Sequence, residues 1–304
     1  MKRFYSFKLK GNRRLKESLL FIAAGIFLLN FYGCNKNLGN ADNSKIVLEG
    51  YLFQGEVVDS VHITKTVSFE SSDTVYPPVS DAQVVITWNN KPFTLQSIGK
   101  GYYNCNDNNL KIKVGDTYAI AVNYKGTTAT SSTVIPSIPT GINLSDNVLY
   151  VDTAFSFNQF GGNQGSGIPG LGNPGIGNSI EISWNNSDNS YYYIVLESMD
   201  PNAADITIGN GNFPIGGFAG PGRIFRFRSQ PFRGGTYTVS SRSMAKYGKH
   251  KAKIYKVNQE YADLYNNRQQ DSRNLSEPIT NIINGLGIFT GFSYAEVTFT
   301  VSKR

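Results

Sequence analysis

The sequence predicts an all-β fold, mainly antiparallel, built as two β-sandwiches with one short helix in the second. Three observations predict it. Apolar side chains recur with period two in short runs, as in half-buried strands. Those runs are punctuated by turn residues such as Pro77-Pro78, Asn89-Asn90 and Gly115-Asp116. One helical stripe occurs in the body of the chain: Val257, Tyr261, Leu264 and Tyr265 at i, i+4, i+7 and i+8. The composition agrees, because 17% charged residues with 31 Gly, 18 Tyr and 19 Phe in 304 residues exclude a coiled coil or a helical solenoid. A hydrophobic content of 40% excludes a disordered chain, and no segment approaches the roughly 20 apolar residues of a membrane-spanning helix.

The first sandwich is expected over 46–136. Its strands read as 46–53, 60–67, 82–88 and 127–134, with two more where Leu110, Ile112 and Val114 alternate with lysines and where Tyr118, Ile120, Val122 and Tyr124 share a face. The Pro136-Ser137-Ile138-Pro139 segment closes this block as a stiff connector and marks the expected boundary. The second sandwich, 140–304, opens with Ile180, Ile182 and Trp184 on one face. A turn-rich NNSDNS follows, in which Asp188 reads as a turn residue, and then the aromatic and β-branched run 191–197. Further strands are expected at 236–242, 251–257 and 294–301, with the helix near 257–268 and Asn258 as its N-cap. The pattern ISW, turn, YYYIV resembles the paired strands around the core Trp of fibronectin type III sandwiches, so the expected sandwiches are immunoglobulin/fibronectin-III-like. The tyrosines of the helix stripe are expected to pack on the sheet, with sugar stacking as the competing reading.

Two glycine-rich tracts interrupt the second block, 8 Gly in 159–178 and 6 Gly in 209–222. Neither follows a strand and opens a helix, so neither forms a phosphate cradle. They read as long loops. Phe213, Ile215 and Phe218 in the second are candidate apolar anchors for a protein partner.

Charge is unevenly placed. The formal net charge is +7, but 1–33 carries seven basic residues and one acid, leaving a body with a net of +1. A nearly neutral body has little attraction for phosphate, so no nucleic-acid partner is expected. The basic run precedes Leu19, Leu20, Phe21 and further apolar residues to Leu29, an 11-residue core, then Gly33 and Cys34. That is the order of a secretory signal. A small residue followed by Cys resembles the bacterial lipoprotein signal, in which the Cys is acylated and becomes the mature N-terminus. Cys34 is thus the expected lipidation site, 1–33 the signal peptide and 34–45 a polar tether. An ordinary signal with an incidental cysteine competes, although no A-x-A precedes Cys34. Cys105, the other cysteine, then has no partner within the chain and reads as a packed side chain.

Catalytic signals are sparse. The two histidines are His62, alternating out of a strand, and His250, in the basic run KYGKHKAK. HExxH, GxSxG and His/Cys metal clusters are absent from the sequence, and no cofactor is implied. Any two carboxylates can converge in space for glycoside cleavage, and nothing in the sequence singles out a pair.

Several stretches together resemble a lipoprotein family of Bacteroidota, domain of unknown function 4249. They are VLEGYL (47–52), PPVSDAQV (77–84), GDTY (115–118), GTTATSSTVIP (126–136), the helix with Glu260 and Tyr261, and the tail from Glu277-Pro278 through NGLGIFTG (284–291). Members resemble accessory lipoproteins of TonB-dependent outer-membrane receptors. The resemblance implies a noncatalytic, lipid-anchored envelope protein with such a receptor as partner and no catalytic residues. A structural or adhesive surface lipoprotein is the alternative, and an enzyme comes third. The expected location is the outer membrane, with the periplasmic face favoured because 35–41 lacks an acidic run. The small-molecule ligand stays open.

Overall fold

The alternation read in the sequence becomes mostly antiparallel sheets packed on buried apolar clusters. The structure, a computed structural model, describes residues 44–67, 76–151, 178–208, 213–214, 224–267 and 279–304. Among these the regular structure is nearly all strand, with one α-helix, α1 (Gln259–Asn267), and a 3-10 turn at Ser241–Ser243. Ser44–Arg304 forms one compact unit.

The first half contributes β1 (Ile46–Phe53), β2 (Val61–Lys65), β3 (Gln83–Trp88), β4 (Lys91–Thr94), β5 (Gln96–Gly99), β6 (Tyr102–Asn104), β7 (Thr117–Tyr124) and β8 (Thr127–Val134). Strands β4-β3-β7-β8 form an antiparallel sheet. Its inward residues Val84, Ile86, Ile120 and Val122 pack in one cluster with Leu48, Leu52, Val61 and Ile63 from β1 and β2. The second half contributes β9 (Asn143–Leu144), β10 (Val148–Val151), β11 (Ser179–Ser183), β12 (Tyr191–Ser198), β13 (Thr207–Ile208), β14 (Phe213–Pro214), β15 (Arg226–Arg228), β16 (Phe232–Arg233), β17 (Thr236–Ser240), β18 (Gly248–Val257) and β19 (Gly285–Lys303). Here β17-β11-β9 supplies Ile180, Ile182 and Val239, which share a second cluster with Ile194, Leu196, Ile254 and Phe299 of β12, β18 and β19.

One strand joins the halves. The 19-residue β19 runs parallel to β1 from Ile46↔Gly285 to Phe53↔Phe292, antiparallel to β18 from Val257↔Phe292 to Gly248↔Val301, and parallel to β10 at its end. A ten-stranded sheet, β15-β12-β18-β19-β1-β2-β6-β5 with β10 and β16 attached, therefore crosses the boundary expected at 136–140. Only the second part of β19 was expected as a strand. The first part carries Gly285, Gly287 and Gly291, which let the backbone approach its neighbours. A Cβ on Gly287, at φ +104°, would lie 2.1 Å from the Leu48 carbonyl oxygen, and one on Gly291 would lie 2.9 Å from that of Val134.

Side chains reinforce the joint. The Lys256 Nζ of β18 donates to Ser137 Oγ at 2.9 Å in the connector and to Asp188 Oδ2 at 2.5 Å, and Ser293 Oγ donates to the Ser137 carbonyl at 2.7 Å. Asn258 Nδ2 donates to Thr133 Oγ1 at 2.9 Å and to the Val134 carbonyl at 3.0 Å on β8.

Two expectations are corrected. Residues 110–114 are not a strand: Leu110 and Ile112 are buried, but the neighbouring backbone bonds to a side chain instead of a ladder. The Tyr118 hydroxyl accepts from Lys113 N at 2.8 Å and donates to the Lys111 carbonyl, the tyrosine-corner device of Greek-key sandwiches. Strands β11 and β12 do not pair with each other either. They belong to different sheets, and Trp184, just past β11, packs between them on Tyr192 and Phe232, because every inward residue of both strands needs the shared core.

Candidate binding site on the outer face of the large sheet

The run YYYIVL in β12 is buried at every position from Tyr192 to Leu196, which a sheet allows only when both faces are covered. Tyr192, Ile194 and Leu196 face the second core. Tyr193 and Val195 face the other way and form a third cluster with Tyr255, Val257 and Phe292, flanked by Tyr51, Phe53, Tyr191, Tyr261 and Tyr294. Helix α1 lies over this face, its Tyr261 edge-on to Phe292 at 4.9 Å between ring centroids and tilted to Tyr193 at 5.8 Å. Tyr193 stacks on Tyr255 at 4.6 Å with an interplanar angle of 6°. The expectation that the helix stripe packs on the sheet therefore holds for Tyr261.

The packing is incomplete beside the helix. A pocket of about 250 Å³ opens there, lined by Tyr51, Phe53, Tyr193, Arg228, Tyr261, Leu264, Tyr265 and Phe292. Tyr193 and Phe292 are buried and make the floor, while Tyr51, Phe53, Tyr261 and Tyr265 are half-buried at the walls. The Arg228 Cζ stands 5.4 Å over the centre of the Tyr193 ring. On the adjoining surface Arg226 Nε pairs with Glu197 Oε1 at 2.8 Å and Lys251 Nζ with Glu296 Oε2 at 3.1 Å.

Burial dominates the electrostatics of these phenols. It raises Tyr193 far above the ordinary range, helped by Tyr261 and Tyr255 and opposed by Arg228, and it pushes Tyr255 up to about 12. Such hydroxyls stay protonated at neutral pH, so they donate hydrogen bonds and do not serve as bases. Among the described residues no three His, Cys, Asp or Glu side chains gather where they could hold a metal ion. The described lining offers ring faces, phenolic hydroxyls and one guanidinium.

The residues singled out in the sequence fall elsewhere. Cys34, Ile215 and Phe218 lie outside the described residues, and the backbone of Phe213 pairs with Ile208 in the β13-β14 hairpin. Cys105 is buried and free. His62 stacks on Tyr102 at 4.2 Å. The basic run around His250 is partly internal: His250 is buried against Phe299, and Lys246, 1% exposed, binds Asp205 Oδ1 at 3.2 Å and the carbonyls of Pro201 and Ala203. The pocket itself was half legible, through the aromatic run of β12 and the stripe of α1. Tyr51, Phe53, Phe292 and Arg228 join it only through the pairing of β1, β19 and β15.

The motifs GDTY and PPVSDAQV serve the fold. In GDTY, Tyr118 makes the corner and Asp116 Oδ2 accepts from Trp88 Nε1 at 2.8 Å. In PPVSDAQV, the Val79 carbonyl accepts from the Tyr103 hydroxyl at 2.9 Å, and that hydroxyl accepts from Ala82 N at 3.0 Å.

Comparison with curated proteins gives no match. Among solved structures, a crystal structure of titin domains is 13% identical with a TM-score of 0.19, covering 85% of this chain and 66% of that one. The native conformation of E. coli alpha-2-macroglobulin is 9% identical with a TM-score of 0.23, covering 86% and 16%. CBD12 from CALX1.2 is 8% identical with a TM-score of 0.19, covering 82% and 98%. The chain thus spans less than two thirds of the first two of these proteins. The sequence matches a family over residues 35–298, nearly all of the strand-bearing body, and the chain belongs to that family, described as "Domain of unknown function (DUF4249)".

Proposed function

We propose that this protein is a noncatalytic binding module of the bacterial cell envelope, two immunoglobulin/fibronectin-III-like sandwiches held at the outer membrane by lipid on Cys34, and that it works as an accessory of a TonB-dependent receptor. The observation that carries the reading is the N-terminal order of basic residues, an 11-residue apolar core and Gly33-Cys34. Acylation with more than one chain makes such anchoring stable where a single chain does not. The body supports a binding role through its aromatic pocket and its paired surface carboxylates. No helix of the described residues is long and apolar enough to cross a membrane; the attachment in this reading is the acyl anchor. Confinement to a membrane raises the effective concentration of a partner there, and a modest loop-borne interface is then occupied. Phe213, Ile215 and Phe218 are the proposed anchors of that interface.

Mass spectrometry of the membrane fraction tests the anchor: the N-terminal peptide of the mature protein begins at Cys34 with acyl mass. A Cys34→Ala variant that stays unprocessed and fully membrane-bound refutes lipidation in favour of an uncleaved anchor. Affinity purification of the wild type recovers an outer-membrane receptor, and deleting 209–222 reduces that recovery with an unchanged melting temperature. Recovery of no envelope protein by the wild type ends the accessory reading.

A further inference from the structure

The carboxylates on the outer face of the large sheet are already engaged, Glu197 by Arg226 and Glu296 by Lys251. Arg228, two residues along the same edge strand as Arg226, has no carboxylate within ion-pair distance among the described residues. An exposed arginine needs no partner. What sets this one apart is its position, exposed and with its guanidinium over the floor ring of the pocket.

We infer that the pocket beside α1 is a subsite for one sugar ring that carries a carboxylate, with Arg228 as the anion's partner and the wall tyrosines as the ring's.

Three features of the lining argue for this class of ligand. The volume, about 250 Å³, lies below the roughly 300–1,000 Å³ of clefts for drug-sized molecules, so it admits one ring. The wall rings are not coplanar: Tyr51 meets Tyr261 edge-on at 89°, and Tyr261 meets Tyr265 at 48°. They form a corner that touches a puckered ring on two sides, where a flat platform suits a planar aromatic. Four of the eight described lining residues are tyrosines, so the lining mixes apolar ring faces with hydroxyls. A sugar presents C–H faces and hydroxyls in the same mixture. The exposed guanidinium of Arg228 stands 5.4 Å over the Tyr193 ring, and a guanidinium can meet a carboxylate with a two-point bond.

The inference stands apart from the envelope reading, since neither Cys34 nor a receptor enters it. The test uses the detergent-solubilised full chain and saturation-transfer NMR titration with glucuronate, galacturonate, glucose, galactose and benzoate. At low salt the two uronates bind about tenfold or more tighter than their neutral sugars, about 1.4 kcal/mol by the affinity relation. Arg228→Gln removes that preference while leaving the neutral sugars unchanged, and Tyr265→Ala weakens both. Arg228 and its side chain are exposed, so the variant is expected to keep the wild-type melting temperature. Uronates and neutral sugars binding alike, an acid preference that survives Arg228→Gln, benzoate binding as well as glucuronate, or no binding by any probe each overturns the inference. None of these outcomes bears on recovery of a receptor, which tests the other reading separately.

Discussion

Removing one oxygen from Tyr118 isolates what the tyrosine corner contributes. Tyr118 is fully buried, and its ring stacks near Trp88 at 6.0 Å between centroids. Phenylalanine keeps that packing and deletes the hydroxyl alone. Two bonds go with it, the one accepted from Lys113 N at 2.8 Å and the one donated to the Lys111 carbonyl. Each is worth about 0.5–1.5 kcal/mol net, and the backbone groups left unpaired add a desolvation cost of about 1–3 kcal/mol each where water cannot replace the phenol. The side chains of Lys111 and Lys113 are exposed, so water reaches the segment in part, and Tyr118→Phe is expected to cost roughly 2–3 kcal/mol. The chain has two tryptophans, Trp88 beside the first core and Trp184 in the second. A urea titration read by fluorescence in Trp184→Phe, which retains Trp88, follows the affected half. With a slope of about 1–3 kcal/mol per molar, the midpoint drops by on the order of 1 M. Tyr150→Phe, at an exposed ring, serves as the control and stays near zero. A Tyr118→Phe variant within about 0.5 kcal/mol of its parent would refute the assignment of the corner as a stabilising device.

Two further outcomes follow from the joint between the halves. The Lys256 ammonium, hydrogen-bonded to Asp188, holds that carboxyl below its ordinary value of 3.8, assisted by Ser190. A lowered folded pKa means stability that is full above 3.8 and is lost as pH falls through the folded value, so the wild-type melting temperature drops toward that of Asp188→Asn as pH is lowered from 5 to 2. A gap that stays constant over this range contradicts the pairing. Gly287→Ala places a methyl 2.1 Å from the Leu48 carbonyl oxygen at φ +104°, and the expected cost exceeds about 4 kcal/mol. Gly55→Ala, at φ +74° with open space around it, costs about 1 kcal/mol; circular dichroism melts that show equal losses for the two argue against the close approach of β19 to β1.

Several features of this protein were present in the sequence alone. Period-two alternation identified β1, β3, β7 and β8 almost to the residue, since a side chain's face in a strand depends only on its parity. The stripe at Val257, Tyr261 and Leu264 placed α1, and the motifs from VLEGYL to NGLGIFTG identified the family. What the tertiary structure decided were the contacts between segments distant in sequence. Whether Leu110 and Ile112 belong to a strand depended on a hydroxyl at Tyr118 taking their neighbours' backbone bonds, and alternation carries no record of which partner a carbonyl finds. Glycine marks both turns and close approaches, and at Gly285, Gly287 and Gly291 the facing backbone of β1 and β8 requires the latter. The same parallel pairing of β19 with β1 set Phe292 beside Phe53 at 4.8 Å, and the edge strand β15 brought Arg228 over Tyr193. A pocket lined by residues 51 to 292 exists only once those strands are adjacent, because strand order is chosen by the burial of whole faces and not by any local signal.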